Sequence, residues 1–373
     1  MIPRLYPADE TAFTTLGIGA LADAESCIVS ETLNGDEYYL DLVYPANGTH
    51  ADDLTTGRII RAIAHEGDQN PQPFDIVSVI RTMDGRVAVH AEHVTRRMAF
   101  MVCYGDTEVV NNSPQAAINR IKEMTIGFLP DSYPFDINAN FVVSGSRVFR
   151  IENTTNVWER LMGADESVLF LFGGEWIFDQ FTATLVQSRG ADRGVRISYG
   201  KNLTDITQEQ NLLNTYTSVV PTCSTSNGLV ISSTEYIDGP FASEYPFRRF
   251  LAVDLADIIK PEPGTTPTDS QLDYAAELYI RANLISVPKV AIDVSFAPLW
   301  QMSGYEFLRD LEHVELGDTV TVQFPALGVD TKAKVTRTVY DVLRDRYDQI
   351  SVGEGRQTLA ETLYEVARGR IVV

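Results

Sequence analysis

The sequence predicts a β-rich α+β chain of several domains. Three observations lead there. Asn34–Gly35 sits between two runs of strand-forming residues, the strongest two-residue hairpin signal because both turn positions need positive φ. Short strand candidates with turn residues between them recur at both ends of the chain, as in a barrel or sandwich. Helix signals are few and local. At 373 residues the chain is long enough for two to four domains.

The first hundred residues read as strands. Cys27–Leu33 and Glu37–Tyr44 form the arms of the Asn-Gly hairpin, with Tyr38, Leu40 and Leu42 on one face and Tyr39, Asp41 and Val43 on the other. Pro45 stops the second arm. Asp75–Arg81 and Arg86–Ala91 form a second hairpin around Asp84–Gly85, and Gly57–Ile63 is a further strand. A mixed region follows. Ser113–Pro114 opens a helix whose apolar face holds Ala117, Ile118, Ile121 and Met124. A short helix over Thr155–Met162 ends at Gly163. Strands are expected over Ser167–Phe172, Phe178–Gln187 and Val195–Tyr199. Residues 260–268, rich in Pro, Gly and Thr, read as an exposed linker. Thr268 and Gln271 make a capping box for a helix that runs to about Leu284 and must stop before Pro288. The last third returns to strands at Asp318–Phe324, Ala333–Tyr340 and Tyr347–Val352. Thr358 and Glu361 then cap a closing helix with Leu359, Leu363 and Val366 on one side. A short echo, Val79–Thr82 against Val335–Thr338, fits two barrels of related design as well as it fits coincidence.

Composition excludes several classes. Hydrophobic residues make up 44% and charged residues 22%, the balance of a folded soluble chain. The longest apolar run, Val168–Phe172, is far short of the ~18 residues of a spanning helix. The N-terminus lacks the apolar stretch of a signal peptide, so the expectation is a chain made and folded in a cytoplasm, with no stable membrane insertion. The 51 acidic against 30 basic residues give a net charge of −21, which argues against gripping nucleic acid through its phosphates. Such an excess of acid keeps a protein soluble and apart from its copies.

Patterns that imitate active sites dissolve on inspection. His90 and His93 flank Glu92, but a helical zinc motif needs histidines four apart with Glu next to the first, and this segment leaves a strand. Gly194–Asn202 imitates a phosphate loop one residue too long, with Asn202 where Ser or Thr must hold magnesium. Cys27, Cys103 and Cys223 are scattered and read as buried thiols rather than a disulfide framework or a zinc site, and Cys103 has no histidine base beside it. Asp52 and Asp53 read as a solvated pair in a loop. No GxSxG elbow occurs. The sequence thus assigns no catalytic, cofactor-binding or metal-ligating residue, and the expectation is a chain that is not an enzyme. The 10% aromatic content permits a carbohydrate-binding module without arguing for one.

A set of ordered segments does resemble a known family. They are Leu33–Pro45, Gly57–Ala62, Gln72–Val77, Val87–His93, Phe172–Asp179, Ser188–Gly190, Val195–Leu203, Tyr216–Thr217, Val220–Pro221, Leu316–Val320, Tyr340–Leu343 and Val352–Gly353. Together they resemble the phage tail hub family, labelled "prophage endopeptidase tail", which is similar to the central baseplate hub of contractile tails. The resemblance spans about residue 16 to residue 355. It implies a hub-type multidomain architecture, with two β-barrel-like domains and two smaller mixed domains. On this reading the first barrel covers 1–104, a mixed α/β domain 105–190, a split second barrel 191–236 and 315–356, an inserted α+β domain 237–314, and a C-terminal helix 357–373. The resemblance implies a structural tail-tip protein of siphovirus type, a homotrimer whose six barrels dock on a hexameric distal tail protein and frame the DNA exit channel. The tape-measure protein and receptor-binding or fibre proteins are the other implied partners, and the virion tail tip the implied location, after assembly in the host bacterial cytoplasm. Many relatives continue into a hydrolase or fibre, whereas this sequence stops at Val373, which weighs against the family label's enzymatic alternative, a peptidoglycan endopeptidase. The acid then gains a second reading, as a wall past which DNA moves without specific binding.

Overall fold

A computed structural model describes the chain except for residues 1, 34, 126–133, 152–153, 164–166, 199–200, 212–214, 226, 233, 260, 263, 284, 287–288, 297–303, 305–312, 325–328 and 354–373. It divides into two compact units, residues 1–207 with 292–355, and residues 208–291 with 356–373. The closing helix expected from Thr358 lies outside the described residues. The architecture is β-rich with few helices, as the composition of its segments predicts.

The first unit is organised by one long, mostly antiparallel sheet. Ser26–Thr32 pairs with Tyr38–Pro45, which pairs with Arg86–His93, then Gln72–Arg81, Ile59–Ala62, Arg4–Tyr6 and Gly19–Ala20 in turn. The alternation read from the sequence positions the core. Tyr38, Leu40, Leu42 and Tyr44 are buried on one face of their strand, while Asp41 is exposed on the other. Gly35, at φ 74°, supplies the left-handed turn between these arms. On its other edge Ser26–Thr32 pairs with Val329–Asp341, and that strand makes a hairpin with Arg346–Gly353. Thr319–Phe324 also pairs with Val329–Asp341 and carries the parallel strand Asp192–Ser198. Both hairpins of the echo therefore belong to one sheet. The echoed residues are not equivalent, since Thr82 sits at a hairpin tip and Thr338 is buried mid-strand.

Between these strands lies the mixed region. The helix Pro114–Glu123 starts where Ser113–Pro114 predicts and buries Pro114, Ala117, Ile118 and Ile121. Val157–Met162 is the expected short helix, entered through a two-residue strand and capped by Asn156, whose Oδ1 accepts from the Glu159 amide at 2.8 Å. Two expectations are corrected. Val168–Phe172 is a helix, not a strand: Ser167 Oγ accepts from the Phe170 amide at 3.0 Å, and Gly173 ends the turn. A short apolar run has no period, so its cap decides. The strand expected over Phe178–Gln187 is a hairpin, Glu175–Asp179 with Thr182–Val186, because Gln180 takes a left-handed φ of 52° and turns the chain.

The second unit centres on Ser218–Thr225. Gly228–Ile231 and Ile237–Asp238 flank it antiparallel and Phe250–Asp254 parallel. The helix Asp269–Ala282 packs Ala275, Ala276, Tyr279 and Ile280 into a core with Val219, Val253 and Leu255. Its capping box is made in full by Thr268 and Gln271. Among the described residues no helix is long and apolar enough to cross a membrane.

Candidate functional site

The charged residues of the first unit are distributed by strand parity. His90 and His93, three apart on one strand, point to opposite faces. His90 lies on the outer face, half-buried, with Nδ1 2.7 Å from Asp41 Oδ1 and Nε2 3.5 Å from Glu92 Oε1. Burial pulls its pKa down, but Asp41 and then Glu92 outweigh this and raise it. His93 is buried, stacked on Tyr38 at 4.3 Å, with Nδ1 2.8 Å from Thr95 Oγ1. Burial holds it neutral by lowering its pKa to about 3. The two imidazoles cannot meet at one ligand.

The other imitations of active sites are structural. Asn202 accepts from the Ser198 amide at 3.0 Å and donates to the Arg196 carbonyl at 3.2 Å, closing a turn where a phosphate loop would open one. Cys27 and Cys103 are buried thiols whose pKa burial raises. Asp52 is exposed, while Asp53 accepts from Arg58 at 2.7 Å. Among the described residues no group of three His, Cys, Asp or Glu side chains is disposed to hold a metal ion.

What the structure brings together instead is three of the segments that carry the family resemblance, Phe172–Asp179, Ser188–Gly190 and Leu316–Val320. Arg189 leaves the mixed region and enters the sheet's interior. Its Nη1 donates to Glu31 Oε1 at 2.6 Å, and His65 Nε2 stands 2.6 Å from the other Glu31 oxygen. Glu31 is 1% exposed. Burial alone would raise its pKa, but Arg189 and then His65 more than offset this and hold it at about 2. Burial likewise opposes the charge on Arg189, and Glu31 more than restores it.

The next residue, Gly190, lies against Gly317. A Cβ on Gly190, at φ 77°, would come 2.2 Å from the Gly317 carbonyl carbon, and one on Gly317, at φ 91°, 2.8 Å from the Arg189 oxygen. Only two glycines let these backbones approach so closely. Asp318, 1% exposed, locks the crossing: it accepts from the Ala191 amide at 2.7 Å and the Glu315 amide at 2.9 Å, with Arg193 Nε at 3.1 Å. Glu175 closes the far side, accepting from the Arg189 amide at 2.5 Å and from Lys334 Nζ at 2.5 Å.

The segments Phe172–Asp179, Ser188–Gly190 and Leu316–Val320 thus meet at one junction beneath the first hairpin. Glu31, His65, Glu66, His313 and Lys334 belong to it as well and were not singled out from the sequence. One signal was there to be read: Glu31 is a carboxylate in an otherwise apolar and small-polar strand. Its partners lie too far along the chain for any local pattern to mark them.

Residues 191–363 match the family described as "Prophage endopeptidase tail". No curated protein matches the sequence. In structure the chain is similar to a tail protein from Neisseria meningitidis MC58, at 11% identity and a TM-score of 0.58 over 97% of this chain and 98% of that one. It is similar to the prophage tail protein gp18 from Listeria monocytogenes EGD-e, at 13% identity and a TM-score of 0.55 over 99% of both chains. It also resembles the 43 kDa tail protein of prophage MuSo2 from Shewanella oneidensis, at 12% identity and a TM-score of 0.54 over 90% and 94%. The chain has the β-rich multidomain fold of prophage tail proteins, and the resemblance to that family holds in sequence over 191–363 and in fold over nearly its whole length.

Proposed function

We propose that the chain is a structural subunit of a phage tail tip, a baseplate hub that joins the tail tube to the parts that meet the host. The observation that carries this is similarity of fold over nearly the whole chain to three prophage tail proteins. On this reading the subunit is a homotrimer. Its barrels are the segments 1–104 and 191–236 with 315–356, and three copies make a pseudo-sixfold face for a hexameric distal tail protein. The tape-measure protein and receptor-binding or fibre proteins are further partners, and the assembled ring frames the DNA exit at the virion tail tip. Part of the −21 charge faces that channel, since a basic wall would hold a duplex bearing one negative charge per ~1.7 Å.

Light scattering of the purified chain tests the reading and should return three times the chain mass. A strictly monomeric chain that binds no distal tail ring would overturn it. The family's printed description carries a second reading, a peptidoglycan endopeptidase. A zymogram on purified cell wall separates the two. The structural reading expects no clearing, and clearing that disappears on substituting His90 or His93 would replace it.

A further inference from the structure

The junction holds a second ionic group that the Glu31–Arg189 pair does not use. His65 and Glu66 are neighbours in the turn between Ile59–Ala62 and Gln72–Arg81, and they face different segments. His65 meets Glu31. Glu66, 3% exposed, meets His313, whose Nδ1 stands 4.0 Å from Glu66 Oε2. The other ring nitrogen of His313, Nε2, lies 2.8 Å from Glu315 Oε1. One imidazole therefore sits between two carboxylates from segments about 250 residues apart in sequence. The ring is within hydrogen-bond reach of Glu315 and within ion-pair reach of Glu66, and only a protonated ring carries the charge that attracts both.

We propose that His313 is a proton-operated latch that clamps residues 313–318 to the His65–Glu66 turn. The groups facing it set its working range. Glu315 raises its pKa most, burial opposes, Glu66 raises it further, and Arg193 opposes. Arg193 is itself held by Glu315 at 2.6 Å and Asp318 at 3.1 Å, so its charge is shared. His65 lies beside Glu315, and Tyr347, from the Arg346–Gly353 strand, is kept protonated by burial and then by Glu66. An imidazole is the side-chain type that gains or loses a charge near neutral pH, and His313 is the one that faces both Glu66 and Glu315.

The sign follows from the direction of the shift. A histidine whose folded pKa is raised stabilises fully below its unfolded value, about 6.5, and loses that contribution as pH rises through the folded value. Glu315, lowered chiefly by His313, adds an acid limit: its contribution is lost as pH falls below the ordinary carboxylate range. The latch is thus closed below about 6.5 and opens as pH rises through the raised folded value. When it opens, the amides that depend on the 313–318 segment lose protection. These are Glu315 onto Asp318, Gly317 onto the Val335 carbonyl, and Asp318 onto the Glu315 carbonyl.

Hydrogen exchange on the full chain at pH 6 and pH 9, corrected for the intrinsic pH dependence of exchange, tests this. The wild type should lose protection at Glu315, Gly317 and Asp318 between the two pH values. His313→Gln should show the lower protection at both pH values. Equal protection of the wild type at both pH values, or an undiminished loss in H313Q, would overturn the proposal. A titration of the His313 ring by NMR decides independently of whether H313Q folds. The pKa should lie above 6.5 and fall on substituting Glu66→Gln; a value at or below 6.5 would overturn the latch.

Discussion

Removing Arg189 tests whether the junction is electrostatic. Arg189→Met keeps most of the volume and deletes the charge that Glu31 faces at 2.6 Å. Glu31, at 1% exposure, is then left among the described residues with the His65 ring at 2.6 Å. Two routes bound the cost. A carboxyl held at about 2 against an ordinary 4.5 gains about 3 kcal/mol from its surroundings, by 1.36 kcal/mol per unit. If Glu31 instead takes up a proton at pH 7, neutralising it costs about 3 kcal/mol more by the same conversion, an upper bound of roughly 7 kcal/mol. The lower figure falls in the ~3–5 kcal/mol seen when one partner of a buried pair is removed. The sign with pH is fixed. A carboxyl with a depressed folded pKa stabilises fully above about 4.5 and loses that contribution as pH falls toward 2, so the deficit of R189M should shrink as pH falls from 4.5 toward 2. All three tryptophans, Trp158, Trp176 and Trp300, fall within the sequence ranges of the first unit, so urea unfolding followed by tryptophan fluorescence reports on it. Glu31→Gln combined with Arg189→Met should recover most of the loss, because no charge is then left alone. An R189M protein within ~1 kcal/mol of wild type at pH 7, or a double variant no better than the single, would refute the electrostatic account.

The glycine crossing should be as sensitive. Gly190→Ala adds an atom 2.2 Å from a backbone carbon at a left-handed φ and should cost about 3 kcal/mol or more in thermal unfolding. Gly194→Ala, at φ 75° with nothing near its Cβ, should cost only about 1–2 kcal/mol. In the second unit, Thr268→Ala should remove one side of the capping box and weaken the Asp269–Ala282 helix by about 1 kcal/mol, read as faster exchange of its first-turn amides.

Much of the fold is legible because strands and caps announce themselves locally. Tyr38 to Tyr44 alternate as they are buried, and Thr268 with Gln271 forms the cap its spacing predicts. The errors have local causes too. Val168–Phe172 carries no period, and its helical state is set by Ser167. The turn inside Phe178–Gln187 rests on a left-handed Gln180, a conformation no glycine or asparagine flags. The junction was half legible. Its glycines and Asp318 stand in segments that resemble the tail family, but what they do there depends on Glu31, His65 and His313, which lie up to 282 positions apart and share no pattern in sequence.

Why such scattered segments should resemble a family at all follows from their place in the structure. Gly190 and Gly317 have no side chain to vary without moving a backbone. Asp318 satisfies two amides and a guanidinium at once, and Arg189 neutralises a carboxylate that has almost no solvent. A residue with several buried partners can change only if all of them change together. In this chain a substitution at any of these positions would disturb several buried groups at once. The same reasoning explains why His90 and His93 mislead. One is held by Asp41 beside Glu92 on the outer face, the other by Tyr38 and Thr95 in the core, and the strand turns them to opposite sides. Glu31, Arg189, Asp318 and Glu175 join segments of the first unit that lie far apart in sequence, so their charges hold its shape.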